Sequence, residues 1–333
     1  MSAKPLMLIL AGLGFAILLI ALLFGWIVSS AYRVTQEEIQ QEAAQIAHTE
    51  DGTDIPDSPY WTADDQMLVV ADLPVRVRIT GPEGAPPLIL IHGFSVSLES
   101  FDAWAADLSA DYRVIRPDLP GHGLTGPDPQ SRYSVPQTAA FVGDLMDALD
   151  IDAAIVGGNS LGGLAAWRFA ADHPDRVSAL ILVAPGGYSI NGVTEEPVAV
   201  PAAIEGYFLN APLPFVSGAT ASLYGDASRM DPAVPQRVAA LMARDGNGQA
   251  MVDRLRVFTL PEPGADLNRV SAPTVILHGE QDRMIPIDHS RQMSAAIPNA
   301  RLVTYDDLGH VPHQEDPART LADVQEFLSE VTP

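Results

Sequence analysis

The sequence predicts an α/β fold: a mostly parallel central sheet of about eight strands flanked by helices, with a helical cap insertion and one preceding transmembrane helix. Three observations carry that expectation. From Met67 onward, short apolar runs alternate with longer amphipathic stretches, the signature of strand–helix–strand units feeding a parallel sheet. The rhythm breaks between Pro185 and about Leu267, where Pro and Gly accumulate. Leu6 to Val28 is an uncharged apolar run of roughly 23 residues, about 34 Å long as a helix against a bilayer core of ~30 Å. On this reading residues 1–33 form a membrane anchor and 34–65 an acidic linker. Residues 66–333 form the globular domain, with the cap at about 186–267.

Composition narrows the function classes. Lys and Arg number 19 against 42 Asp and Glu, a formal net charge of −23 in 333 residues. A field that acidic argues against nucleic acid or an anionic lipid surface as partner. Cysteine is absent, which excludes disulfides, thiolate metal sites and a cysteine nucleophile.

At the N-terminus, a cleaved signal peptide would carry an apolar region of only about 7–15 residues. The longer run reads as an uncleaved anchor, although Ser29-Ser30-Ala31 resembles a small-residue cleavage site. Trp26 and Tyr32 sit where interfacial aromatics are enriched. Lys4 precedes the run, and Glu37, Glu38 and Glu42 follow it beyond Arg33, so the positive-inside rule places the N-terminus in the cytoplasm. The globular domain then lies on the outer face of the cell membrane. Thr35 to His48 is a candidate short helix, and Asp51 to Asp65, with Pro56 and Pro59, a spacer.

Met67–Ala71 and Val75–Ile79 read as strands, the second alternating Val75, Val77 and Ile79 with Arg76 and Arg78 as in a half-exposed antiparallel pair. Leu88–Ile91 is continuously apolar, as a strand buried on both faces should be. A helix is expected over Glu99–Leu108 and a strand over Tyr112–Arg116. Ser134 with Gln137 forms a capping-box start for a helix through about Leu149. Ala153–Val156 and Val177–Ala184 are further strands, with a helical stretch at Leu164–Ala171 between them. In the cap, Gln236–Ala243 and Met251–Phe258 are amphipathic pieces. Thr274–Leu277, Ile287–Ile297, Arg301–Tyr305 and Pro317–Leu328 complete the pattern as strand, helix, strand and helix.

The chemistry points to Gly158-Asn159-Ser160-Leu161-Gly162, a G-x-S-x-G turn between strand and helix. Such a turn lifts the serine oxygen over the sheet edge, above the N-terminal amides of the next helix. A serine hydroxyl needs a histidine to take its proton and an acid to hold that histidine. In open α/β sheets these groups sit on loops at the carboxyl ends of strands. Asp282 follows one such strand and His310 another, in the chain order Ser160, Asp282, His310 that the elbow motif predicts. Glu280, Asp306 and Asp307 compete for the acid's role, but Asp282 fits the loop offset best. His313, with no carboxylate cluster of ligand spacing around it, reads as a surface or packing residue rather than a metal ligand. His92 and His122 lie in tight turns and read as structural, with His92 and Asn159 as candidates for bordering the substrate.

From about Met67 to its end the chain resembles the α/β-hydrolase fold family. The agreeing motifs are His92-Gly93-Phe94, Asp118-Leu119-Pro120-Gly121-His122-Gly123, Gly158-Asn159-Ser160-Leu161-Gly162-Gly163, Gly279-x-x-Asp282 and Gly309-His310. The resemblance implies Ser160 as nucleophile, His310 as general base then acid, Asp282 as orienting acid, and an oxyanion hole from the backbone N–H groups of Phe94 and Leu161. It implies a small-molecule ester-like substrate and no metal or organic cofactor. His173-Pro174-Asp175-Arg176 and Ala184-Pro185-Gly186-Gly187 look most like the branch holding meta-cleavage C–C hydrolases and related esterases. Those C–C hydrolases typically carry tryptophan after the catalytic histidine, where this chain has Val311. Tyr207, Phe208, Leu209 and Tyr224 of the cap are the residues expected to shape substrate choice.

Overall fold

The computed structural model describes residues 58–331. The apolar run Leu6–Val28, the candidate helix Thr35–His48 and residues 51–57 of the spacer lie outside the described residues. Among the described residues no helix is long and apolar enough to cross a membrane.

Eight strands form one sheet in the order β1-β2-β4-β3-β5-β6-β7-β8. These are β1 (Asp65–Val70), β2 (Leu73–Thr80), β3 (Pro87–Ile91), β4 (Arg113–Pro117), β5 (Ala154–Asn159), β6 (Val177–Val183), β7 (Thr274–Gly279) and β8 (Ala300–Tyr305). β2 pairs antiparallel with β1 and with β4, and every later pairing is parallel. The parallel strands therefore all end at one edge, where their following loops converge.

Alternation along each strand divides the core into two layers. Ile89, Ile91, Val156, Leu180 and Leu182 face α2 (Val135–Ala148) and α3 (Leu161–Asp172). Leu88, Leu90, Ile155, Ile181 and Val183 face α1 (Asp102–Leu108) and the C-terminal helix, numbered α11 (Pro317–Val331). Both faces of the central strands are covered, which is why they read as unbroken apolar runs. The capping box at α2 is present, with the Ser134 side chain accepting from the Gln137 amide and the Gln137 side chain accepting from the Ser134 amide. The helix expected over Glu99–Leu108 begins instead as a 3-10 turn, Leu98–Phe101, before α1.

The expected half-exposed face of β2 is not observed. Arg76 and Arg78 are buried, because Tyr60 and the Ser97–Phe101 turn cover that face. Arg76 bonds Asp65 (3.0 Å), Glu99 (2.7 Å) and Asp118 (3.1 Å), while Arg78 Nε reaches Asp65 at 2.7 Å. The positive charges thus hold three buried carboxylates together, a pairing that makes their burial tolerable.

Between β6 and β7 lie α4 (Ala202–Asn210), α5 (Leu213–Ala221), α6 (Ala233–Ala243), α7 (Asn247–Arg256) and the short α8 (Gly264–Leu267). Phe208, Leu213, Val216, Val238, Met242 and Met251 give this segment its own apolar cluster, against which Phe94 and Val96 pack from the loop after β3. Arg254 of α7 is fully buried and donates to the carbonyls of Pro120 and Tyr133, tying the segment to the sheet's loops. Helices α9 (Ile287–Ala296) and α10 (Pro312–Glu315) flank β8.

Candidate active site

The turn from β5 to α3 places Ser160 at φ 53°, ψ −111°, a backbone region that costs a non-glycine residue about 1–3 kcal/mol. Its surroundings hold it there. The Ser160 amide donates to Val183 O (3.0 Å), and its carbonyl accepts from Leu164 N (2.9 Å) and Gly186 N (3.0 Å). The flanking glycines are steric requirements: a Cβ at Gly158 would overlap the Gly162 backbone, and one at Gly162 would overlap the Ile91 carbonyl. The loop after β3 also approaches, since a Cβ at Gly93 would lie 3.4 Å from Ser160 Cβ and 2.8 Å from Asn159 Oδ1.

Two further loops bring the other groups to this edge. Gln281 N donates to Leu308 O (2.9 Å) and Glu280 N to Tyr305 O (2.7 Å), stitching the loop after β7 to the loop after β8. There Asp282 Oδ2 accepts from His310 Nδ1 at 2.7 Å. That bond fixes the proton on Nδ1 and leaves Nε2 as an acceptor. Asp282 Oδ1 accepts from Met284 N (2.7 Å) and Ile285 N (2.9 Å). Burial works to raise the Asp282 carboxyl, but the neighbouring charge of His310 and hydrogen bonds from His278 and His310 hold it well below the usual carboxylate range. The competing acids are elsewhere. Glu280 faces Arg291, Asp306 faces Arg319, and Asp307 bonds both Arg229 and Arg319.

Asn159 joins the two halves. Its Nδ2 donates to Val183 O and to His310 O, each at 3.1 Å, so the residue beside Ser160 grips the backbone of His310. Among the described residues no hydrogen bond links Ser160 Oγ to His310 Nε2. Such bonds commonly tighten only when substrate binds. Leu161 opens α3, where an amide has no partner within the helix, and Phe94 follows Gly93 on the opposing loop.

His92 and Asn159, candidates for bordering the substrate, are committed to backbone. His92 Nε2 accepts from Leu119 N (2.9 Å), which leaves Nδ1–H to donate to Gly93 O (2.7 Å). Neither nitrogen remains for a ligand, and burial lowers the imidazole's affinity for a second proton. In the cap, Phe208 meets Phe94 edge-on at 5.3 Å and Tyr207 packs against Phe208. Leu209 is 44% exposed. Tyr224 is buried with Val311 and Met230 beneath the cap's edge. His313 has both nitrogens without partners, stacked on Phe101 at 4.5 Å and beside Trp104. Among the described residues no three His, Asp or Glu side chains gather as a metal site.

Three supporting residues escaped the reading of the sequence. His278, at the end of β7, lies 3.0 Å from Asp282 Oδ2 through Nε2. Glu315 accepts from Gly309 N, Gly225 N and Asp226 N, pinning the His310 loop to the cap. Asp118 accepts from Leu98 N and Leu124 N besides Arg76, which explains the Asp118–Gly123 motif as a loop brace. A histidine closing an otherwise apolar strand was a visible signal for the first. For the others the partners are too distant in sequence to suggest one another.

Residues 86–317 match the family model described as alpha/beta hydrolase fold. The chain is an alpha/beta hydrolase. Among its relatives, lipase 3 of Moraxella sp. (strain TA144) is 28% identical, over 89% of this chain and 90% of the relative. The pimeloyl-[acyl-carrier protein] methyl ester esterase of Aromatoleum aromaticum is 29% identical, over 72% of this chain and 98% of its own. Among solved structures, a meta-cleavage product hydrolase from Pseudomonas fluorescens superposes with a TM-score of 0.70 at 26% identity, over 80% of this alpha/beta hydrolase and 97% of that chain.

Proposed function

We propose that this alpha/beta hydrolase is a serine esterase that works through an acyl-enzyme. The observation that carries the reading is the 2.7 Å bond from His310 Nδ1 to Asp282, at the edge where the strained elbow presents Ser160. His310 Nε2 takes the hydroxyl proton as Ser160 Oγ attacks the ester carbonyl. The amides of Phe94 and Leu161 receive the oxyanion of the tetrahedral intermediate. Collapse breaks the ester C–O bond, and His310 returns its proton to the departing alcohol. Water then repeats the sequence on the acyl-enzyme, releasing the acid and restoring Ser160. Asp282 keeps the histidine in the right tautomer and stabilises the imidazolium.

Val311 favours ester over C–C bond cleavage, since it is buried against Tyr224 and Met230 and contributes no aromatic surface beside His310. Relatives named lipase and methyl ester esterase support the same substrate class. The apolar run Leu6–Val28 supports a single-pass anchor, with the N-terminus cytoplasmic and the catalytic domain on the outer face of the membrane.

The test follows p-nitrophenol release from acyl esters of increasing chain length by the wild type and Ser160→Ala, beside a panel of lactones, proline amides and a vinylogous C–C substrate. Ester turnover lost in Ser160→Ala is the expected result. A folded wild type that turns over only the C–C substrate, or that a fluorophosphonate leaves unlabelled, overturns the reading. A C-terminal reporter active only outside the cytoplasm tests the topology, and a cytoplasmic signal reverses it.

A further inference from the structure

We infer that His278 is a positioning residue for the reaction, acting through Asp282; this rests on the assignment of Ser160, His310 and Asp282 as a triad. His278 closes β7, is fully buried, and makes three polar contacts. Its Nε2 lies 3.0 Å from Asp282 Oδ2 and 3.0 Å from Ile285 O, and its Nδ1 lies 2.6 Å from Ser290 Oγ on α9.

Those contacts determine the tautomer. A carboxylate oxygen and a carbonyl oxygen are both acceptors, so the hydrogen must sit on Nε2. In the neutral ring Nδ1 is then an acceptor, and the Ser290 hydroxyl donates to it. A line of polar contacts therefore runs from Ser290 through His278, whose Nε2–H bonds Ile285 O and whose Nε2 lies 3.0 Å from Asp282, and on to His310. Each donor polarises the next, so the Ser290 hydroxyl strengthens the Nε2–H that lies beside Asp282.

The consequence for Asp282 is specific. Its Oδ2 accepts the N–H of His310, the base that serves the reaction, and lies 3.0 Å from Nε2 of His278, a base that does not. The two backbone amides hold Oδ1, so His310 and His278 are the side chains that bear on Oδ2. His278 shares the negative charge that His310 feels. Without it, Oδ2 becomes a stronger acceptor for His310 Nδ1–H, the imidazolium is favoured, and His310 stays protonated to higher pH. The titratable groups around His278 are Asp282 and His310 on the loops after β7 and β8, and His289 on α9, whose own protonation is opposed by burial and by His278.

The experiment compares the full-length wild type with His278→Leu, His278→Gln and Ser290→Ala, measuring kcat/KM for a p-nitrophenyl ester from pH 5 to 9, with thermal unfolding of each. Glutamine can place its amide N–H where Nε2 was, and leucine cannot. In His278→Leu the acid limb of the profile is expected to move up by about half to one pH unit. His278→Gln should keep the wild-type limb, and Ser290→Ala should move it in the leucine direction by less. If His278→Leu fails to fold, the other two variants decide: an unmoved limb in Ser290→Ala together with a moved one in His278→Gln overturns the inference. So does a uniform loss across pH in every variant, which is the mark of mere packing. A wild type whose ester activity survives Ser160→Ala overturns the triad and this inference with it. An activity that depends on Ser160 while the His278→Leu limb stays put overturns only the role of His278.

Discussion

Replacing His313 with leucine should leave the protein's stability at pH 7.5 little changed and raise it at pH 5. His313 is fully buried against Phe101 and Trp104, with neither nitrogen partnered. Burial, with a smaller contribution from the charge of His310, pushes its pKa down to about 3. In the unfolded chain the ring titrates at its ordinary value of about 6.5. Between those two values the unfolded state binds a proton that the folded state refuses, so stability falls as pH drops through 6.5 and continues to fall toward 3. At pH 5 the gap is about 1.5 units, or roughly 2 kcal/mol at 1.36 kcal/mol per unit. Leucine removes the linkage while filling most of the ring's volume. Guanidinium unfolding of both proteins in one detergent, at pH 7.5 and pH 5, checks it. The stability difference should shift by about 2 kcal/mol in the variant's favour on acidification. A difference that stays constant between the two pH values refutes the argument, because it would mean that folded His313 accepts a proton as readily as the unfolded chain does.

Other expectations follow from the same geometry. Asp282→Asn should lower kcat by about 10⁴, because an amide can present a donor to His310 Nδ1 and select the wrong tautomer; steady-state kinetics with an activated ester reads this. Gly162→Ala should abolish activity or folding, since the added methyl overlaps the Ile91 carbonyl and must push the elbow off the sheet; a folded variant with wild-type kcat/KM would contradict the packing described. Arg76→Met should cost about 3–5 kcal/mol, because it leaves Asp118 and Glu99 buried with less compensating charge. Calorimetry should show a melting temperature lowered by several degrees.

Which parts of this architecture were legible follows from how far each constraint reaches along the chain. The elbow was readable because its requirements are local: Gly158 and Gly162 must lack a Cβ to pass each other and Ile91, and both stand within two residues of Ser160. The buried strands were readable because coverage on both faces demands apolar residues at every position, as in Leu88–Ile91. The pairing of Asp282 with His310 was inferred from loop offset and chain order, constraints that act within each loop, and the two side chains lie 2.7 Å apart. Arg76 and Arg78 were misread for the same reason that Leu88 was not. Alternating charge and valine has the period of a half-exposed strand, and nothing local distinguishes water on the charged face from a buried set of carboxylates contributed by residues 65, 99 and 118. The cap helices α4 and α5 were missed because Val198 to Ala221 is apolar almost throughout, with Glu205 its only charge, so no polar face marks a helical period. The same composition leaves the face that α4 turns toward Phe94 indistinguishable in sequence from the face that carries exposed Leu209. If the cap sets acyl-chain preference as expected, Phe208, the cap residue that meets Phe94, is where substitution should first change it.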